Sequence, residues 1–233
     1  MSIPTLNRVL HRLPTEERAR LAVFLERIEL PARHVLIHAD APVDRCYFLE
    51  SGLVSVVMQV DATRVEVGMI GTEGVVCGPS LLIEGQSSPY AYVVQIAGVA
   101  HGIALRDLRG AVRSSPALGP HLQRCVQAEL FQSRHTAFVN ASFSIETRLA
   151  RWLLMCHDRV EGDELALTHE VLAVMLGVQR SGVTLAVQNL EGSGRIRARR
   201  GRITILDRER LRDAAGGSYG IAEAFHERLM AEV

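Results

Sequence analysis

The two halves of this 233-residue chain are written in different periodicities. From Val35 to about Leu105, apolar and β-branched residues come in short runs: Val35-Leu36-Ile37, Cys46-Tyr47-Phe48-Leu49, Val54-Ser55-Val56-Val57-Met58, Val65-Glu66-Val67 and Tyr92-Val93-Val94-Gln95-Ile96. Turn signals separate them, among them Asp40-Ala41-Pro42, Glu50-Ser51-Gly52, Asp61-Ala62 and Gly71-Thr72-Glu73-Gly74. This spacing predicts a compact β-roll of about eight strands. After Leu105 the runs stop and helical spacing takes over, so the fold class is α+β.

Before the roll, Thr15-Glu16-Glu17 opens a short amphipathic helix through Ala19, Leu21, Ala22, Phe24 and Leu25 that ends before Pro31. Beyond it, Leu118, Leu122, Val126, Leu130, Phe131 and Phe138 recur at helical spacing from about Pro116. A break is expected at Asn140-Ala141-Ser142, with Ser144-Ile145-Glu146 opening a second helix through Leu149, Trp152, Leu153 and Leu154. A helix this long between two domains carries apolar positions that neither covers, and Leu118, Leu122, Val126, Leu130 and Phe138 are expected to meet their own copies in a twofold dimer.

Leu167 to Leu190 carries the most information. Thr168 can cap a helix whose inner face is Val171, Leu172 and Met175, and Ala173 is small where a second helix must cross. Gly177 suits the left-handed residue of a tight turn, and Val183 and Ala186 hold the second helix on the first: a helix-turn-helix. Left for solvent on that second helix are Gln179, Arg180, Ser181, Thr184 and Gln188. A guanidinium fork suits guanine O6 and N7, a carboxamide suits adenine, and a hydroxyl suits a phosphate or a thymine methyl.

Gly192-Ser193-Gly194 then leads into two short alternating strands with five arginines in eight residues, Arg195 to Arg202. Ile196, Ile203 and Ile205 can face inward while Arg195, Arg199, Arg200 and Arg202 project, as in the wing of a winged helix along a phosphate backbone. With Thr168 and His169 at the start of the first helix, these residues make the expected DNA surface. Charge supports a local patch only: 26 basic residues, all arginine, balance 26 acidic ones. The absence of lysine excludes lysine Schiff-base chemistry and the P-loop lysine.

With these motifs in view, the chain resembles the Crp/Fnr superfamily of bacterial transcription regulators over roughly residues 5–210. The resemblance rests on the run from Pro42 to Val57 with Phe48 and Gly52, the Glu146-Thr147-Arg148-Leu149-Ala150-Arg151-Trp152-Leu153-Leu154 helix, and the helix-turn-helix with its wing. It implies a β-roll sensor of the cyclic-nucleotide-binding type over 1–115, a dimerisation helix over 116–143 and a winged helix-turn-helix over 144–233. It also implies a homodimer on a palindromic DNA site, RNA polymerase as a protein partner and a small-molecule effector. In cyclic-nucleotide-binding members a phosphate cassette supplies a Gly-Glu pair and, some ten residues later, an arginine and a hydroxyl. Laid on this chain, the pocket is Gly78, Pro79, Ser80, Leu81, Pro89, Tyr90 and Ala91. Pro79 replaces the glutamate, and Pro89 and Tyr90 replace the arginine and the hydroxyl, so cyclic AMP is not expected to bind in the family manner.

Members with an iron–sulfur cluster need cysteines near the N-terminus, and here none precedes Cys46. Cys46, Cys77, Cys125 and Cys156 stand far apart, so reduced thiols, no metal and no cofactor are expected. Two other readings compete. A cupin-like metal enzyme would use His34, His38 and Glu50, but lacks the His-x-His pair. A constitutive regulator would fill its pocket with Leu81, Leu82 and Tyr90. The start carries no signal-like apolar region and no stretch suits a membrane span, so the expected location is cytoplasmic. The tail after Gly216-Gly217-Ser218 reads as an amphipathic helix with Ile221, Phe225 and Leu229, expected to pack on the winged helix.

Overall fold

In the computed structural model, which describes residues 3–77, 80, 83 and 87–231, the chain opens with two short helices, α1 (Arg8–His11) and α2 (Thr15–Ala22). Asn7 starts the first: its Oδ1 accepts from the Val9 and Leu10 amides at 3.1 Å, satisfying two of the donors that a helix start leaves unpaired. Helix α2 stops at Ala22, short of Phe24 and Leu25, and the chain turns into β1 (Glu26–Leu30).

Every β-rich run becomes a strand: β2 (Val35–Ile37), β3 (Arg45–Leu49), β4 (Leu53–Val60), β5 (Thr63–Ile70) and β6 (Ala91–Ile96), followed by β7 (Gly98–Ala104). Among the described residues the roll has seven strands, in two antiparallel sheets ordered β1-β7-β3 and β2-β6-β4-β5. Leu30, Phe48 and Ile103 of the first sheet and Val54, Tyr92 and Val94 of the second share one core. Cys46 and Cys77 are joined by a disulfide, which corrects the expectation of reduced thiols. They stand 31 residues apart, and only the pairing of Tyr47 with Val76 brings their Cα atoms to 5.2 Å. Cys125 and Cys156 are free, and burial pushes the Cys125 thiol up to about 12.

Helix α3 (Leu105–Ser114) leads to α4 (Leu118–Ser142) and α5 (Ile145–His157). Phe143 ends α4 in extended backbone, and Ser144 caps α5 by accepting from the Thr147 amide at 3.2 Å. Leu118 and Leu122 do not face a partner: both are buried in the core of the roll, because the first turns of α4 cover its open end. Val126 is half-buried, while Leu130 and Phe138 are exposed.

The C-terminal part comprises β8 (Glu164–Leu165), α6 (His169–Leu176), α7 (Arg180–Gly192), β9 (Ile196–Arg199), β10 (Arg202–Ile205) and α8 (Arg208–Ala215), with the three strands ordered β8-β10-β9. Its core also takes in Leu53 and Met69 of the roll. At that junction Glu66 is buried, accepting from Ser55 Oγ at 2.5 Å and from Trp152 Nε1 at 2.7 Å. Burial pushes its carboxyl up to about 7 against those two hydrogen bonds. The last helix, α9 (Ile221–Ala231), departs from expectation: it packs on α4, with Phe225 stacked on Phe131 at 4.2 Å between ring centroids. Glu227 pairs with Arg8 and Arg12, so charge as well as apolar contact draws the tail away from the wing.

Candidate nucleic-acid interface

Thr168 Oγ1 accepts from the Val171 amide at 3.2 Å and so caps α6. Gly177 ends that helix at φ 61°, in the left-handed region that favours glycine, and Val178 donates back to Ala173 O at 3.0 Å. Val65 of the roll lies against the same turn: a Cβ on Gly177 would meet it at 3.1 Å. Helix α7 then leaves at a bend of 109° from α6, held by buried Val183, Ala186, Val187 and Leu190. Gly182 lets it close on α5, since a Cβ there would come within 2.9 Å of Ile145.

This packing settles which side of α7 faces outward. Gln179, Arg180, Ser181 and Gln188 are exposed, and among the described residues no hydrogen bond or ion pair engages the Arg180 guanidinium. Thr184 is half-buried instead, and its hydroxyl is occupied: it donates to Arg180 O at 3.0 Å and lies 3.1 Å from His169 Nδ1, linking α6 to α7. One residue escaped the polar pattern. Leu185 is 60% exposed, four residues after Ser181 and three before Gln188 on the same face. An apolar side chain at such a place suits the methyl group of thymine. The signal was its position outside the inner face set by Val183, Ala186 and Leu190.

The wing forms by alternation. Ile196, Ile203 and Ile205 are buried, and Arg197, Arg199, Arg200 and Arg202 point out. Arg202 pairs with Glu164 at 2.8 Å and Arg199 lies 3.8 Å from Glu191, both pairs well exposed and therefore loose. Arg195 has another role: its Nε donates to Arg210 O at 2.9 Å, anchoring the wing to α8. Between wing and helices lies an open cleft of about 610 Å³ lined by Thr168, His169, Glu170 and Arg180 on one side and Arg199, Arg200 and Arg202 on the other. Guanidiniums on both walls attract phosphate, and the free fork of Arg180 can read a base edge between them.

The residues expected to hold an effector are less assembled. Gly78, Pro79, Leu81 and Leu82 lie outside the described residues. Ser80 is buried with its carbonyl accepting from Arg109 at 2.6 Å, Pro89 is exposed, and half-buried Tyr90 packs on the core of the roll, beside Ala91 at the start of β6. The ligands of the enzyme reading do not converge either. His34 and His38 are exposed, whereas Glu50 accepts from the Leu6 amide at 2.6 Å, tying down the N-terminal segment. No single helix among the described residues is long and apolar enough to cross a membrane.

Residues 147–214 match the family model of the Crp-like helix-turn-helix domain. No curated protein matches the chain by sequence. Solved structures of similar fold include a transcriptional regulator of the crp/fnr family from Eubacterium rectale, 17% identical, with a TM-score of 0.70 over 89% of this chain and 97% of that one. FixK2 from Bradyrhizobium japonicum is 18% identical, with a TM-score of 0.70 over 83% and 98% of the two chains. The c-di-GMP responsive global regulator CLP of Xanthomonas campestris is 19% identical, with a TM-score of 0.66 over 82% and 99%.

Proposed function

We propose that this chain, which has the fold of the Crp/Fnr transcription regulators and carries a Crp-like helix-turn-helix domain, is a homodimeric, sequence-specific DNA-binding regulator that does not respond to cyclic AMP. The observation that carries the reading is the cleft in which the free guanidinium of Arg180 stands across from Arg199, Arg200 and Arg202. In this division of labour the winged helix-turn-helix from Ser144 to Ala215 binds DNA, α4 within 116–143 pairs the subunits and 1–115 form the sensor, while α9 braces α4. Arg180, Gln179, Ser181 and Gln188 read base edges, with Leu185 adding an apolar contact, while Thr168, His169 and the wing arginines hold the backbone.

Pairing is supported by the outer face of α4. Gln123, Gln127, Leu130, Arg134, Ala137 and Ala141 are all exposed at alternating spacings of four and three, the repeat of a coiled-coil seam, and Phe138 flanks it. Loss of cyclic AMP binding follows from the cassette. Neither Pro89 nor Tyr90 supplies the cation that a cyclic phosphate needs, and a charge-assisted hydrogen bond is worth about 1.5–3 kcal/mol.

Selection of bound DNA from a random pool by the purified protein tests this. The expected winner is a twofold-symmetric site with half-site centres about 10 base pairs apart, bound equally with and without cyclic AMP. A pool that stays unenriched, or a winner without symmetry, overturns the dimeric reader; tighter binding with cyclic AMP overturns the broken cassette.

A further inference from the structure

Beneath α9 lies a cavity of about 440 Å³ that is not lined by Ser80, Pro89, Tyr90 or Ala91, the described residues expected to hold an effector. Its floor is the end of β5 and the turn after it, Met69 to Val75; one wall is the middle of α4, and α9 is the roof. The turn between α5 and β8 contributes Asp158 and Arg159. A molecule held there would touch the roll, the long helix and the helix that ends the C-terminal part.

The polar groups around the cavity are matched with one exception. Glu73 pairs with Arg159 at 2.8 Å, and that guanidinium holds its carboxyl below the usual range against the opposing effect of burial. Asp158 pairs with Arg208 and accepts from Tyr219 at 2.8 Å. Glu227 is held by Arg8 and Arg12, and Glu223 accepts from the Gly220 amide at 3.0 Å. His226 is kept neutral by burial. Glu129 has no hydrogen-bond or ion-pair partner among the described residues, yet it stands on the cavity wall beside Cys125 and Ala128. Five carboxyl groups line the cavity, Glu73, Glu129, Asp158, Glu223 and Glu227, and of these Glu129 alone has neither a hydrogen bond nor an ion pair among the described residues. The remaining lining, Met69, Ile70, Val75, Ala128 and Ala222, is apolar.

We propose that this cavity binds a small organic cation, an ammonium or guanidinium on an apolar body, with Glu129 as its counter-ion. An anion would face the unpartnered Glu129 carboxylate, and a neutral molecule would leave that carboxylate without a counter-ion. As an effector site the cavity rests on the DNA-binding reading; as a binding site it does not.

The probes are three ligands with one indole body: tryptamine, the neutral alcohol tryptophol and the anion indole-3-acetate, titrated calorimetrically into the full-length protein. Tryptamine is expected to bind about tenfold or more tighter than tryptophol, the value of one charge-assisted hydrogen bond, and indole-3-acetate weakest of the three. Glu129→Gln should bring tryptamine down to the level of tryptophol. Because burial pushes the Glu129 carboxyl up to about 7, wild-type affinity for tryptamine should rise between pH 6 and pH 8 as the proton leaves, and the variant should lose that rise. Of the other titratable groups nearby, Tyr92 and Cys125 are held protonated across this range by burial, and Glu73 and Arg159 stay charged. No tryptamine binding at millimolar concentration, indole-3-acetate binding as tightly as tryptamine, or an unchanged preference in Glu129→Gln overturns the proposal. The ligand and pH comparisons on wild-type protein stand even where the variant fails to fold. Binding of DNA by the unliganded protein, measured separately, keeps a failure of the cavity distinct from a failure of the regulator reading.

Discussion

The two ends of this molecule use arginine in opposite ways. In the roll and its supports, Arg159 is buried against Glu73, Arg8 and Arg12 share Glu227, and Arg45 reaches Glu26. Between Leu167 and Ile205, in a chain of zero formal charge, six arginines face two glutamates, and Arg180 and Arg200 have no partner among the described residues. A guanidinium matched inside the protein holds a fold together; an unmatched one at the surface is an unfilled half of an interface.

The sharpest way to break that contrast is Arg159→Ala. It leaves Glu73 buried without its counter-ion and is expected to destabilise the protein by about 3–5 kcal/mol in urea unfolding. A variant that melts like wild type would show that the pair carries no stability.

The junction between the two ends comes next. The Glu66 carboxyl is raised above its unfolded value, so its stabilising contribution is complete below about pH 4.5 and is lost as pH rises through about 7. A carboxyl pKa raised by one pH unit corresponds to about 1.4 kcal/mol, so the expected loss is a few kcal/mol and is absent in Glu66→Gln. Trp152 is the sole tryptophan, and its indole donates to Glu66, so fluorescence against pH reads the event directly. An equal pH profile in the variant would refute the assignment.

Arg180→Ala should leave unfolding unchanged and weaken binding to the selected DNA site by about 1–3 kcal/mol, with a smaller effect on scrambled DNA. If sequence preference survives, α7 is not the reading helix. The smallest effect belongs to Arg200→Ala: a modest, sequence-independent weakening, with the slope of log affinity against log salt reduced by about 0.9, one phosphate contact. An unchanged slope would remove Arg200 from the backbone contacts.

Legibility followed the range of the interactions. The cap at Thr168, the turn at Gly177, the alternation of the wing and the stop before Ser144 could all be read in the chain, because each depends on residues within about one helical turn or strand. Strands β1 and β7 were missed for opposite reasons. Glu26-Arg27-Ile28-Glu29-Leu30 is mostly charged and buries only Leu30, while Gly98 and Gly102 weaken the apolar pattern of β7. Thr184 and Arg195 belong to the right surface by pattern, yet the fold uses one to join α6 to α7 and the other to anchor the wing.

The sequence by itself therefore determined the division into a β-rich half and a helical half, the helix-turn-helix and the side of α7 that faces out, since periodicity dictates which residues can be buried together. The tertiary structure alone decided that Cys46 meets Cys77, that Leu118 and Leu122 serve the roll and not a partner, and that α9 lies on α4 above a cavity with an unmatched carboxylate. Those outcomes join residues from 31 to more than 200 positions apart, as in the pairing of Arg8 with Glu227, and no local pattern encodes which distant surfaces will close on each other.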